Sequence, residues 1–295
     1  MITGILVVNK PKGYTSHDVV AKVRRSLNMQ KVGHTGTLDP LATGVLPILL
    51  GNGTKLSQYI INHDKEYIAT IKLGVKTDTG DIEGNIIEEK VVNKYSDKQI
   101  KEVLDTFKGK QKQIPPMYSA IKVKGKKLYE YARKGENIEI EPRDIEIYSI
   151  ELIDSTTNII KIKVNCSKGT YIRVLCEDIA EKLGTIGTMQ NLERTKVGDF
   201  CLEDAIQIED IENLELVKQK LITPEKIFKD LKEIELSNKE LQQFLNGVKL
   251  ENKNINGLYK IYCENKFIGI GKIFENKLKR EYVVGGSYDE NINNM

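Results

Sequence analysis

A chain of 295 residues with 40% hydrophobic and 29% charged residues can bury a sizeable core, and its length suits one large domain or, preferably, two unequal ones. No apolar run approaches the roughly twenty residues of a membrane-spanning helix, and no basic segment precedes the short apolar stretch at the N-terminus, so a cytoplasmic protein without a signal peptide is expected. A net charge of +3 names no partner, and the 4 cysteines and 3 histidines show neither a Cys-x-x-Cys pair nor ligand spacing, so no metal site or disulfide framework is signalled.

Gly4 to Val8 reads as a short buried strand, and Lys10-Pro11-Lys12-Gly13 as a turn carrying two cations. Ser16 is the expected N-cap of a helix whose Val19, Val20, Val23 and Leu27 recur at helical spacing. The stretch Gly33 to Gly44 then places one carboxylate, Asp39, in a glycine-rich turn. Gly33, Gly36 and Gly44 permit close approaches, and Pro40 biases Asp39 toward extended geometry. The apolar run Val45 to Leu50 predicts a buried strand that holds this loop still. From these residues alone, Asp39 and Thr37 could equally be hydrogen-bonding their own turn.

Thr54 to Ile61 predicts a short helix, and Glu66 to Leu73 a strand with Tyr67, Ala69, Ile71 and Leu73 on one face. Ser96 with Gln99 forms a capping box for a helix running to Phe107. Residues 108 to 127 hold seven lysines and no acid, and up to about Asp144 the chain mixes cations with Tyr118, Tyr129 and Tyr131. Such an insertion could be a mobile flap contacting nucleic acid, or an ordinary hairpin and helix with its tyrosines in a core. Ile145 to Ile153 and Ile159 to Cys166 read as an antiparallel pair. A helix opened by Ser167 to Arg173 follows, with Ile172, Leu175, Ile179 and Leu183 inward. Arg173 in a first helical turn calls for a nearby carboxylate or phosphate, unless it pairs with Glu177 on the surface. After a junction near residues 218 to 232, a helix capped by Ser237 and strands at Gly257 to Cys263, Phe267 to Phe274 and Leu278 to Val284 suggest a compact β-rich module.

The blocks Lys10-Pro11-Lys12-Gly13, His34-Thr35-Gly36-Thr37-Leu38-Asp39-Pro40, Lys65-Glu66-Tyr67, Lys168-Gly169-Thr170-Tyr171-Ile172-Arg173, and Leu192 with Arg194 together resemble the bacterial tRNA pseudouridine synthase B family. The resemblance spans most of the first 200 residues. It implies an α+β fold with a mixed, largely antiparallel central sheet flanked by helices, the pseudouridine synthase fold. A catalytic domain at 1–225 would carry a thumb-like insertion at about 108–143, and a C-terminal PUA-like RNA-binding domain would occupy 232–295. It further implies isomerisation of uridine at position 55 in the TΨC loop of tRNA. Asp39 would be the essential aspartate and nucleophile, Tyr67 the catalytic tyrosine stacking on the target base, and Arg173 the partner of the aspartate. His34, Tyr171, Leu192 and Lys10 would contact RNA.

That reaction exchanges a bond from carbon to nitrogen for one from carbon to carbon within the nucleotide, so no cofactor or metal is expected. It needs an ionised carboxylate, which Arg173 would favour, and an aromatic face for an extruded base. A monomer needing no protein partner is expected. The alternatives are a noncatalytic RNA-binding or tRNA-folding protein, and an RNA-guided synthase.

Overall fold

The computed structural model describes residues 2–136 and 138–285, so residues 286–295 of the expected C-terminal domain lie outside the described residues. Two apolar runs, Gly4–Lys10 and Thr43–Leu50, pair antiparallel from Gly4 opposite Leu50 to Lys10 opposite Gly44. Both strands are covered on both sides, which is why they read as runs and not as alternations. Leu6, Val8, Leu46 and Ile48 pack on Val19, Val20 and Val23 of the helix Ser16–Ser26. Ile5, Val7, Val45 and Leu49 face Leu56, Ile60 and Phe200 on the other side. Fully burying each such aliphatic side chain contributes about 1.5–3 kcal/mol.

These strands belong to a 10-stranded sheet. Its order is Ile206–Gln207, Gly4–Lys10, Thr43–Leu50, Gly187–Val197, Lys65–Leu73, Ile159–Cys166, Arg143–Ser155 and Gly109–Gln113, with Val32–His34 and Phe200–Cys201 paired alongside. Two junctions are parallel, Ile206–Gln207 with Gly4–Lys10 and Gly187–Val197 with Thr43–Leu50; the others are antiparallel. The helices Asp97–Asp105 and Ile172–Lys182 cover one face, where Ile100, Leu104, Leu175 and Ile179 meet Ile71, Ile147 and Ile162.

The central strand Gly187–Val197 escapes a reading by alternation. Register shifts between Met189 and Asn191 and between Arg194 and Lys196 interrupt its period of two. One expectation needs correction. Thr15, not Ser16, caps the first helix, in a capping box with Asp18. Gly109–Gln113, within the expected insertion, is an edge strand of the sheet. The chain leaves that strand after Gln113 and returns at Arg143, its register partner. Between them lie a short hairpin, Lys122–Val123 with Lys126–Lys127, and the helix Leu128–Ala132.

The three C-terminal strands form as read, at Gly257–Cys263, Lys266–Phe274 and Lys277–Val283. Glu233–Glu235 and Leu250–Glu251 flank them to make a 5-stranded sheet. The helix Asn238–Leu245 covers it, with Leu241 and Phe244 against Ile261 and Leu278. Ile270 and Tyr282 of this sheet join Val45 and Val197 in one apolar cluster, so the two sheets share a seam.

Candidate active site

Asp39 is held by the residues around it. Leu38 and Leu41 are buried in the core, and the Asp39 carbonyl accepts from the Ala42 amide at 3.0 Å in a turn built on Pro40. Ser16 supplies a second tie. Its buried hydroxyl accepts from the Leu38 amide at 2.9 Å, which is the work this serine does in place of capping. Of the three glycines expected to allow close approach, Gly44 alone is required. Its φ is +104°, and a Cβ there would lie 2.2 Å from the Arg194 carbonyl oxygen. A Cβ at Gly33 or Gly36 would meet nothing nearer than 3.9 and 3.8 Å respectively.

The loop's anchoring leaves the Asp39 side chain 35% accessible while Arg173 is 6% accessible beside it, with Nε 3.0 Å from Oδ2. The surface pairing of Arg173 with Glu177 is not what forms. Its other nitrogens donate to the Thr79 carbonyl at 3.0 Å and the Tyr118 carbonyl at 2.8 Å. Asp81 lies 4.0 Å from the same guanidinium. Burial pushes the Asp39 carboxyl above the usual aspartate range, and the attraction of Arg173 opposes but does not cancel it. Arg173 thus favours the anion, as expected, while desolvation is the larger influence.

Tyr67 opens the Lys65–Leu73 strand and is buried next to Ala69, with Arg194 as its register partner across the sheet. Burial raises its phenol, and Arg194 pulls in the other direction. Arg194 is itself buried, donating to the Val45 carbonyl at 2.8 Å and the Gly36 carbonyl at 3.3 Å beneath the loop. Leu192 pairs with Ala69 and shares the apolar cluster of Leu38 and Tyr67. His34 ends a short strand, its Nδ1 accepting from the Gly36 amide at 3.3 Å. Its ring meets His17 edge-on, with centroids 5.4 Å apart. Burial, then the repulsion of His17 and Arg194, lowers its pKa and favours the neutral ring. Tyr171 immediately precedes the helix that carries Arg173, and burial raises its phenol.

Lys10 lies beneath the loop and not on the surface. It is 0% exposed, and its ammonium donates to the carbonyls of Tyr14, Pro11 and Pro40 at 2.6, 2.9 and 3.3 Å. With all three donors used, it fastens the 10–14 turn to the Asp39 loop. Burial lowers its pKa to about 8, against the favourable field of Asp39. Sequence reasoning also missed Asp81. Its carboxylate is fixed by the Thr79 hydroxyl at 2.9 Å and the Glu83 amide at 3.2 Å, and it lies 4.0 Å from the Arg173 guanidinium. The polar run Thr77-Asp78-Thr79-Gly80-Asp81 was the available signal, but it reads as any solvated turn.

The site thus combines a partly open carboxylate, a buried cation beside it, and a buried aromatic side chain on the strand Lys65–Leu73. In fold the chain matches a chain of the Cbf5-Nop10-Gar1 complex with TM-score 0.69 and 25% identity, covering 96% of this chain and 84% of that one. A chain of an H/ACA RNP bound to a substrate RNA containing 2'-deoxyuridine matches with TM-score 0.69 at 24% identity, over 96% and 86%. The architecture is that of the pseudouridine synthases.

The model of the TruB family pseudouridylate synthase N-terminal domain matches residues 24–172. That of the tRNA pseudouridylate synthase B C-terminal domain matches 173–245, and that of the pseudouridine synthase II TruB C-terminal region matches 233–283. The tRNA pseudouridine synthase B of Clostridium tetani is 46% identical over 92% of this chain and 96% of its own length. That of Alkaliphilus oremlandii is 44% identical over 96% and 97%. The chain belongs to the TruB family of pseudouridylate synthases, and is an isomerase.

Proposed function

We propose that this chain converts uridine to pseudouridine in tRNA, at position 55 of the TΨC loop, as a single cytoplasmic polypeptide without a protein partner. The observation that carries the reading is the Asp39–Arg173 pair at 3.0 Å in a partly open mouth, in a chain whose relatives bear the name tRNA pseudouridine synthase B. The reaction breaks the bond between ribose C1' and base N1, turns the base, and joins C1' to C5; the C5 proton leaves and N1 gains one. Atoms and electrons balance without an oxidant or a leaving group. Asp39 supplies the carboxylate for cleavage of the glycosidic bond, and Arg173 fixes its direction. Tyr67 supplies a face for the extruded base, worth about 1–3 kcal/mol as a stacking platform.

His34, Tyr171 and Leu192 line the pocket for the flipped nucleotide and its neighbours. Lys10 serves the site by holding the loop. Residues 1–225 act as the catalytic unit and 232–295 as a second RNA-contacting unit. The lysines of the insertion add salt-dependent phosphate attraction. Within the insertion, Tyr131 is core, whereas the half-buried Tyr129 ring lies 5.3 Å from the Lys127 ammonium and 5.4 Å from the Arg133 guanidinium.

The test is release of tritium from tRNA labelled at C5 of uridine, with the modified position mapped on the product. Purified chain alone should release tritium from an unmodified TΨC stem-loop, and Asp39→Asn should bind that RNA without turnover. No release by the wild type would return the chain to the noncatalytic or RNA-guided reading, and turnover by Asp39→Asn would remove Asp39 from its role.

A further inference from the structure

The helix Ile172–Lys182 has no side-chain cap of its own: Tyr171 stands at its start with extended backbone and no hydroxyl or carboxylate in capping position. Gln113, from a distant part of the chain, instead holds the main chain of Tyr171 itself. Its Oε1 accepts from the Tyr171 amide at 2.8 Å, and its Nε2 donates to the Tyr171 carbonyl at 3.1 Å. The side chain is buried, 6% exposed. A backbone amide only donates and a carbonyl only accepts, so this two-point clasp requires a side chain that does both at once, as glutamine does at any pH and glutamate does only when protonated.

The position of Gln113 gives the clasp its meaning. Gln113 is the last residue of the edge strand, and its register partner Arg143 is where the insertion returns, so the pair forms the root of the insertion. Five residues on, the Tyr118 carbonyl accepts from Arg173 Nη2 at 2.8 Å. The insertion root therefore holds the first turn of the helix at two points, the peptide of Tyr171 and the guanidinium of Arg173.

We infer that Gln113 is a positioning residue for the reaction: it sets the first turn of the helix so that Arg173 meets Asp39, and it ties the insertion's root to that geometry. It touches neither base nor phosphate in this role. The inference rests on Asp39 and Arg173 being the reacting pair. Displacing such a pair by about 1 Å is enough to cost up to about 100-fold in rate.

Gln113→Met keeps length and removes both bonds. In single-turnover tritium release at saturating tRNA stem-loop, at a temperature where circular dichroism reports the variant folded, its rate should fall about 10- to 100-fold while RNA affinity changes less than about twofold. An unchanged rate, or a loss confined to affinity, overturns the inference. Gln113→Glu keeps the test alive should the Met variant not fold. An ionised carboxylate can accept from Tyr171 but cannot donate to its carbonyl, whereas a protonated one does both. The rate of Gln113→Glu relative to wild type at the same pH should therefore rise as pH falls from 8 to 5.5; a flat ratio overturns the inference. Asp39→Asn run in parallel separates the two readings, since turnover by that variant would overturn the site assignment whatever Gln113 does.

Discussion

Arg173→Met removes a buried cation from between two carboxylates while keeping most of the side-chain volume. In the folded protein the guanidinium sits 3.0 Å from Asp39 and 4.0 Å from Asp81, and donates to the carbonyls of Thr79 and Tyr118. Taking one partner from a buried pair costs about 3–5 kcal/mol when the other stays charged. Because the Asp39 side chain is 35% accessible, water recovers part of that loss, which places the expected destabilisation near the lower end, about 3 kcal/mol at pH 8. The sign of the pH dependence follows from the same contacts. Burial already raises Asp39, and Arg173 is the strongest opposing influence, so its loss raises the folded-state pKa further above the unfolded value of about 3.9. A folded state that binds the proton more tightly than the unfolded chain gains stability as pH falls through the folded-state pKa, and the gain is complete below the unfolded value. The deficit against wild type should shrink as pH falls from 8 toward the unfolded value of about 3.9, by up to about 1.4 kcal/mol for each unit of additional rise. Urea unfolding followed by circular dichroism at four pH values measures it. A deficit below about 1 kcal/mol at pH 8, or one that is the same at every pH, refutes a buried ionic pairing.

The glycines of the loop offer a sharp contrast. Gly44→Ala forces a Cβ to within 2.2 Å of the Arg194 carbonyl at a φ of +104°, and should cost about 2 kcal/mol or more in urea unfolding, whereas Gly36→Ala, with 3.8 Å to its nearest neighbour, should cost less than about 1 kcal/mol. Equal costs would show that the strand contact at Gly44 is not what shapes the loop. Lys10→Met should lower the turnover rate while leaving the salt dependence of tRNA binding unchanged, because its donors are spent on Tyr14, Pro11 and Pro40. A salt slope reduced by about one would mean that Lys10 reaches a phosphate after all.

What could be read in advance divides along physical lines. Asp39, Tyr67 and Arg173 were legible because each sits at an interruption of a pattern: a carboxylate between apolar anchors, an aromatic at the start of an alternation, a cation at the wrong end of a helix. The burial of Lys10 is not legible, because a lysine beside a proline and glycine turn reads as solvated and nothing local tells that three carbonyls converge on it. Asp81 and Gln113 were invisible for a related reason. Their partners are Arg173 and the Tyr171 peptide, 92 and 58 residues away or made by main chain, so the pairing exists only once the sheet is assembled. The central strand Gly187–Val197 was lost to its two bulges, although Leu192 and Arg194, which it carries, were not.

The seam between the two sheets alters what the C-terminal module is. Val45, which follows the Asp39 loop by a few residues, rests in the same apolar cluster as Ile270 and Tyr282. The module is therefore a foundation under the strand Thr43–Leu50 that follows the Asp39 loop. Shortening the chain ahead of it would expose the underside of that strand, and a defect in turnover would then appear in an enzyme whose every site residue is intact.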